Sequence, residues 1–253
     1  MSDSTKRFSS RVEDYIKYRP TYPEAVIDLL KAECRLTSSS IVADIGSGTG
    51  ILAELFLKHG NRVFGVEPNA EMRAAGERLL QGYPRFTSVA ATAEATTLAD
   101  RSVDFVAAGQ AFHWFDRDRF RAECQRMLRP DGWIVLIWND RRTDSTPFLQ
   151  SYERLLLTYG TDYTTVDHKR IDHDVLAAFF AAGRFQQARF ENTQVFDFAG
   201  VQGRLLSSSY TPDADHPSYQ PMLAELRVIF EAHQVNRQVA FEYDTLVYYG
   251  QLS

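Results

Sequence analysis

Cysteine is scarce in this chain: Cys34 and Cys124 are the only two among 253 residues. So few thiols, so far apart, leave room for one disulfide at most, and two free buried thiols in a reducing compartment are the expectation. A surplus of basic charge is also missing. Twenty-eight lysines and arginines face 33 acids, for a net charge of -5 and a pI near 5.7. No basic stripe is available to neutralise phosphates, so nucleic acid is not an expected partner. Long apolar runs are absent too. The segment WIVLIW, Trp133–Trp138, has six residues, where a membrane-spanning helix needs about 20. The polar opening MSDSTKRFSSRVEDY carries no apolar core, which predicts no secretory signal, no membrane partner and a cytoplasmic location. No G-x-S-x-G elbow is present. The five-residue spacing of His168 and His173 does not put both imidazoles on one helical face, so no metal site is expected.

What is present is a core-forming 44% of apolar residues and a regular alternation of element types. TYPEAVIDLLKAEC reads as a helix with Thr21 as N-cap, Pro23 in the first turn and Glu24 completing a capping box. The apolar run Ile41–Ile45 then reads as a buried parallel strand. After it come the helix ILAELFLKHG, the strand RVFGVE, the helix NAEMRAAGERLLQG capped by Asn69, and the strands FTSVAA and VDFVAAG. The helix DRDRFRAECQRML, the turn RPDG and the strand WIVLIW complete the series. Strands separated by helices imply right-handed βαβ units and a parallel sheet, with ligand at the carboxyl ends of the strands. Past residue 141 the pattern changes to helices interrupted by FQQARFENTQVFDF and VAFEYDTLVYYGQL, two segments expected to pair antiparallel. The expectation is one domain, residues 1–253, with a cofactor-binding core over about 36–140 and a cap plus final strands over about 141–253.

The stretch IVADIGSGTG, Ile41–Gly50, carries the chemistry. No lysine follows the glycines until Lys58, which excludes a phosphate-binding P-loop. Gly46 and Gly48 fit the dinucleotide fingerprint, but its third small position is Ile51, with Gly50 one residue too early. Asp44 discriminates further: a carboxylate there repels a pyrophosphate and attracts a cation. S-adenosylmethionine has no phosphate and carries an ammonium and a sulfonium, and bare glycine backbone admits it closely. Glu67, at the end of the second strand, is placed to accept ribose hydroxyls, with Pro68 and Met72 beside the adenine.

VADIGSGTG, GVEPNAEM, ATAEATTL, GQAFHWFD and LRPDGWIVLIWND resemble, in order, the motifs of class I S-adenosylmethionine-dependent methyltransferases. YIKYRPTYP, SSSYTPD and FEYDTLVYYG resemble the trans-aconitate methyltransferase-like branch of small-molecule enzymes. The resemblance implies an α/β, Rossmann-like sheet of seven strands, mostly parallel with one antiparallel, under a helical cap. It implies cofactor contacts at Asp44, at Gly46, Ser47, Gly48, Thr49 and Gly50, and at Glu67. It also places Ala93 and Glu94 at the adenine edge, Gln110 near the sulfonium and Arg19 at the methionine carboxylate.

GQAFHWF, Gly109–Phe115, falls where methyl transfer takes place in such a fold. His113 is the candidate general base. Phe112 and Phe115 serve equally well as packing. Trp114, Trp138, Asn139, Arg141 and Tyr210 are candidate acceptor-binding residues, with Arg142 beside Arg141 as a second cation for an acidic acceptor. The expected function is transfer of a methyl group from S-adenosylmethionine to a small-molecule acceptor through oxygen, carboxylate or hydroxyl, by a monomer or homodimer. An NAD(P)-dependent oxidoreductase and a catalytically silent cofactor-binding module are the alternatives.

Overall fold

The computed structural model describes residues 16–161, 163, 173–180, 185–208 and 210–252. Its centre is one seven-stranded sheet in the order β3-β2-β1-β4-β5-β7-β6. The chain runs α1 (Ala25–Cys34), β1 (Ile41–Ile45), α2 (Ile51–Lys58), β2 (Arg62–Val66), α3 (Ala70–Leu79) and β3 (Phe86–Val89). It continues through β4 (Val103–Gly109), a 3-10 turn at Phe112–Trp114, α4 (Arg117–Met127) and β5 (Leu128–Arg141). The second half comprises α5 (Pro147–Tyr159), α6 (His173–Phe179), β6 (Phe185–Phe196), α7 (Phe198–Leu206), α8 (Tyr219–His233) and β7 (Val239–Gly250).

β1 to β5 pair in parallel, and β7 inserts antiparallel between β5 and β6. The two late strand-like segments therefore finish the sheet as expected, with β7 the antiparallel member. β1, β2 and β4 are short and largely buried because helices cover both faces, while β3 at the sheet edge is only half-buried. One face holds Val42, Val63, Phe105, Val135 and Phe56; the other holds Ile45, Val66, Val106, Leu136 and Phe120. Each side chain of this size contributes about 1.5–3 kcal/mol when buried. A third cluster joins α5, α7, α8 and β7 through Tyr152, Leu155, Val201, Leu226 and Phe241. That cluster is the cap.

Two local expectations are corrected. The first helix begins at Ala25, with Glu24 at its start and no side-chain cap, so the Thr21 capping box does not form. The cause is tertiary: the Thr21 carbonyl accepts the side-chain amides of Asn139 (3.2 Å) and Asn192 (2.7 Å), which hold residues 18–22 as a strap across the strand ends. The RPDG segment lies inside β5 as an irregularity. Pairing passes from Val103↔Leu128 to Phe105↔Trp133, and Asp131 takes a left-handed φ of 64°. Cys34 and Cys124 are free and buried. His168 lies outside the described residues. No helix among the described residues is long and apolar enough to cross a membrane.

Candidate functional site

Between β1 and β4 the strand order reverses, because β1 has β2 on one side and β4 on the other. Ligand crevices in open α/β sheets form there, outside the carboxyl ends of the strands. A cavity of about 210 Å³ occupies this place, bounded by the β1 loop, the end of β4, the end of β5, the 18–22 strap and the cap.

The floor is made by the glycine loop. Gly46 and Ser47 donate to the Val66 carbonyl at 2.9 and 3.1 Å, which ties the loop to the end of β2. Gly46 has φ +67°, and a Cβ there would lie 2.7 Å from the Ala111 side chain. Gly50 has φ +88°, and its Cβ would lie 2.5 Å from Leu80. Both positions therefore require glycine, for handedness and for space. Gly46, Ser47, Gly48 and Thr49 line the cavity. Gly50 does not; it turns the chain into α2.

Asp44 lies beneath this loop and is 1% exposed. Neither of its carboxylate oxygens has a hydrogen-bond partner. Burial pushes its carboxyl up to about 7; the Ala53 backbone N–H opposes the rise and the nearby Glu67 charge adds to it. A carboxylate is costly to bury without a partner, so the position is built for a group that arrives from outside the chain.

Glu67 supports the loop from the end of β2. It is buried and does not line the cavity. Its oxygens accept the backbone N–H groups of Gly48 (2.9 Å) and Asn69 (2.8 Å), so it braces the loop and the start of α3. Pro68 is exposed outside the cavity, and Met72 packs with Ala75 and Ile16. Ala93 is a core residue, while Glu94 accepts the Asp116 N–H at 3.0 Å and caps the approach to α4. The adenine-side set, Glu67, Pro68, Met72, Ala93 and Glu94, is thus not gathered into this cavity.

The remaining candidates are. Gln110 sits at φ +56° after β4, held by its N–H to the Ile137 carbonyl and its amide to the Asn139 carbonyl. A non-glycine residue in that conformation is strained, a feature that clusters at functional sites. His113 and Trp114 line the wall on the 3-10 turn. Phe112 and Phe115 belong to the packing: the Phe112 ring meets Phe179 edge-on at 4.8 Å. Arg19 lines the cavity and donates to the Ser207 carbonyl at 2.9 Å. Asn139 also lines it, but its side-chain oxygen accepts Thr245 (2.5 Å) and Asn192 (3.2 Å) while its NH₂ holds the strap. That amide is a brace. Arg142 is outside the cavity, paired with Asp244 and Glu191.

The roof is cationic. Arg141 is 8% exposed; one terminal nitrogen donates to Glu153 and Tyr163, and the other, Nη1, has no partner. Arg204, 6% exposed, donates to the hydroxyls of Tyr243 (3.2 Å) and Ser208 (3.1 Å). It makes no ion pair with an acid among the described residues. Tyr210 lies with these guanidiniums; burial raises its phenol, but Arg204 and Arg141 outweigh that and hold it below the ordinary tyrosine range. The Trp138 indole N–H, also on the lining, has no partner. Arg204, Tyr163 and Tyr243 escaped the sequence reading. Arg204 did leave a signal: it sits on the buried stripe of α7 between Val201 and Leu205, where an unexplained charge marks a tertiary demand.

A mostly parallel seven-stranded sheet with an antiparallel β7, and a glycine loop over a buried acid, define the class I methyltransferase fold. Comparisons with known proteins agree. Residues 43–136 match the methyltransferase domain family. A protein of Schizosaccharomyces pombe named as an uncharacterised methyltransferase-like protein is 32% identical over 158 residues, covering 62% of this chain and 60% of the relative. An uncharacterised methyltransferase of Mycobacterium tuberculosis is 39% identical over 140 residues, covering 55% of this chain and 54% of the relative. The matched region thus spans little more than half the length of these curated relatives. Among solved structures, a chain from Anaeromyxobacter dehalogenans covers 93% of this chain and 98% of its own length with a TM-score of 0.68 at 22% identity. A methyltransferase of Geobacter sulfurreducens, solved with S-adenosyl-L-homocysteine, covers 100% of both chains with a TM-score of 0.54 at 18% identity. These structural likenesses carry the fold. The chain therefore has the class I methyltransferase fold, with a methyltransferase domain match over residues 43–136.

Proposed function

We propose that the protein methylates a small organic acid on a carboxylate oxygen, using S-adenosylmethionine. The single observation that carries the acceptor is Arg204: a guanidinium buried in the roof of the cavity with no acid paired to it among the described residues, beside Arg141 with a nitrogen still free to donate. Buried cations without counter-ions are costly unless a ligand supplies the charge. Arg204, the free Nη1 of the Glu153-paired Arg141 and the Trp138 N–H make a wall of donors, which suits an acceptor that offers only lone pairs.

The cofactor fits the opposite wall. Asp44 offers two unpartnered oxygens to an ammonium, and Gly46, Ser47, Gly48 and Thr49 offer bare backbone. When bound, the cofactor supplies a methyl group already activated by a positive sulfur. The chain's own contribution is positioning and exclusion of water by Trp114, Trp138 and the cap; reacting atoms held about 3–3.5 Å apart account for roughly 7–11 kcal/mol of a barrier. A carboxylate enters already ionised, so His113 and Tyr210 have no proton to remove and serve as walls. The protein would work in the cytoplasm, where such metabolites and the cofactor occur.

The test is incubation with methyl-labelled cofactor and a metabolite extract, followed by mild alkali. A methyl ester releases labelled methanol. An alkali-stable product overturns the carboxylate acceptor, and if mass analysis then places the methyl on a hydroxyl, His113 or Tyr210 is the base. Tight cofactor binding with no labelled product from any extract supports the silent-module alternative.

A further inference from the structure

We propose that Asp44 takes up the cofactor's ammonium by giving up a proton, so that the site reads the amine and couples its binding to pH. The inference rests on the cofactor reading of the cavity given above. In the ligand-free protein burial keeps the carboxyl protonated below about pH 7. When an ammonium enters, the carboxyl O–H bond breaks, the proton leaves to solvent, and the new carboxylate pairs with the ammonium, which keeps its own protons.

The argument is geometric. Asp44 lies at the carboxyl end of the central strand, paired in register with Gly65 on β2 and Ala107 on β4. Neither neighbour carries a polar side chain. Both carboxyl oxygens are sealed from solvent and lack a hydrogen-bond partner. From the end of β2, Glu67 adds a like charge. From α2, the Ala53 N–H is the favourable influence and is a weaker one than burial. The titratable and charged groups on the other walls are Arg19 and Tyr22 of the strap, His113 of the 3-10 turn, and Asp140 and Arg141 of β5. The cap adds Arg204 with Tyr163 and Tyr210, and β7 adds Tyr243. None of them pairs with Asp44 in a salt bridge or hydrogen bond. A carboxyl so placed keeps its proton until a cation arrives, and burial accordingly moves its titration to about 7.

The consequence is selective. Ligands bearing the amino-acid ammonium bind with proton release and weaken as pH falls below neutrality. The nucleoside part alone binds without either effect.

Calorimetry tests this on the intact protein between pH 5.5 and 8, in buffers of contrasting ionisation enthalpy. The probes are S-adenosylhomocysteine and 5′-methylthioadenosine, which shares the nucleoside and sulfur but lacks the amino acid. S-adenosylhomocysteine should lose about tenfold in affinity per pH unit below the Asp44 titration and release up to one proton; 5′-methylthioadenosine should show neither trend. Equal pH dependence for both probes, or a flat profile with no proton released, overturns the proposal. A ligand-independent measurement separates it from the cofactor reading: carbon-13 NMR of aspartate carboxyls in the free protein should show one titrating near neutrality, lost in Asp44→Asn. Titration of every carboxyl in the ordinary acid range overturns the proposal even if both ligands bind. Binding of neither ligand, with the neutral-range titration present, sinks the cofactor reading and with it the coupling.

Discussion

The two walls of the cavity are built by opposite means. The floor, from residues 44, 46–49 and 110, is backbone shaped by glycines, with one acid inside it. The roof, from Arg141, Tyr163, Arg204, Tyr210 and Tyr243, is long side chains brought together from β5, α7, β7 and the cap connections. The floor offers acceptors without donors at Asp44. The roof offers donors without a paired acid at Arg204. A cavity polarised in this way suits two ligands of opposite character at once, a cationic donor and an anionic acceptor. Neither wall alone defines a reaction; together they do.

If the floor and roof are chemically independent, substitutions should separate them. The largest effect is expected at Asp44. Asp44→Asn removes one partner of a buried ion pair, and S-adenosylhomocysteine should bind at least about 100-fold more weakly by calorimetry, in line with the 3–5 kcal/mol typical of such losses. The same change should stabilise the empty protein. The folded carboxyl titrates at about 7 against an ordinary value of 3.8. Its stabilising contribution is therefore complete below about pH 4 and is lost as pH rises through 7, a cost of about 4 kcal/mol at pH 8. Asp44→Asn should accordingly melt several degrees higher than the parent at pH 8 and equally at pH 4. Weaker melting at pH 8 would contradict the buried-acid account.

Arg204→Met comes next and acts on the roof. The acceptor KM should rise about 100-fold while cofactor affinity is unchanged, and the ligand-free protein should be as stable or more so, because an uncompensated buried charge is replaced by an apolar chain. A parallel loss of cofactor affinity would show that the walls are not independent. Glu153→Gln is intermediate: it loosens Arg141, which donates to Glu153 and Tyr163, and about a tenfold loss in kcat/KM is expected, rescued in part by Asp. His113→Ala is the smallest. With an acceptor that enters ionised, turnover should fall less than about tenfold and keep its pH profile; loss of an alkaline-rising limb would return the hydroxyl acceptor to first place.

The legibility of the molecule follows the same division. The β1–loop–α2 unit was readable because its demands are local: an apolar strand, glycines that must take positive φ, and an acid two residues ahead. Asn69 was readable as a cap for the same reason, since its side chain accepts from Glu71 and Met72 just beyond it. The Thr21 cap was misread because Asn139 and Asn192, more than a hundred residues away, claim the Thr21 carbonyl. The spacing of Glu67 was readable, but that its oxygens also accept the N–H groups of Gly48 and Asn69 and so brace the loop was visible only in the fold. Asn139 and Arg142 looked equivalent to Arg141 on the page. In space one is locked to the strap and another is paired on the sheet surface, while Arg141 alone keeps a donor for the cavity.

By itself, the order of residues determined the sheet, the glycine turn and the buried acid, since strand burial, backbone handedness and capping act over a few neighbouring positions. Only the folded chain decided which of several arginines and tyrosines would meet over that turn. Ion pairing and desolvation depend on distances between α7, β5 and β7, and those distances exist only once the cap has packed onto the sheet.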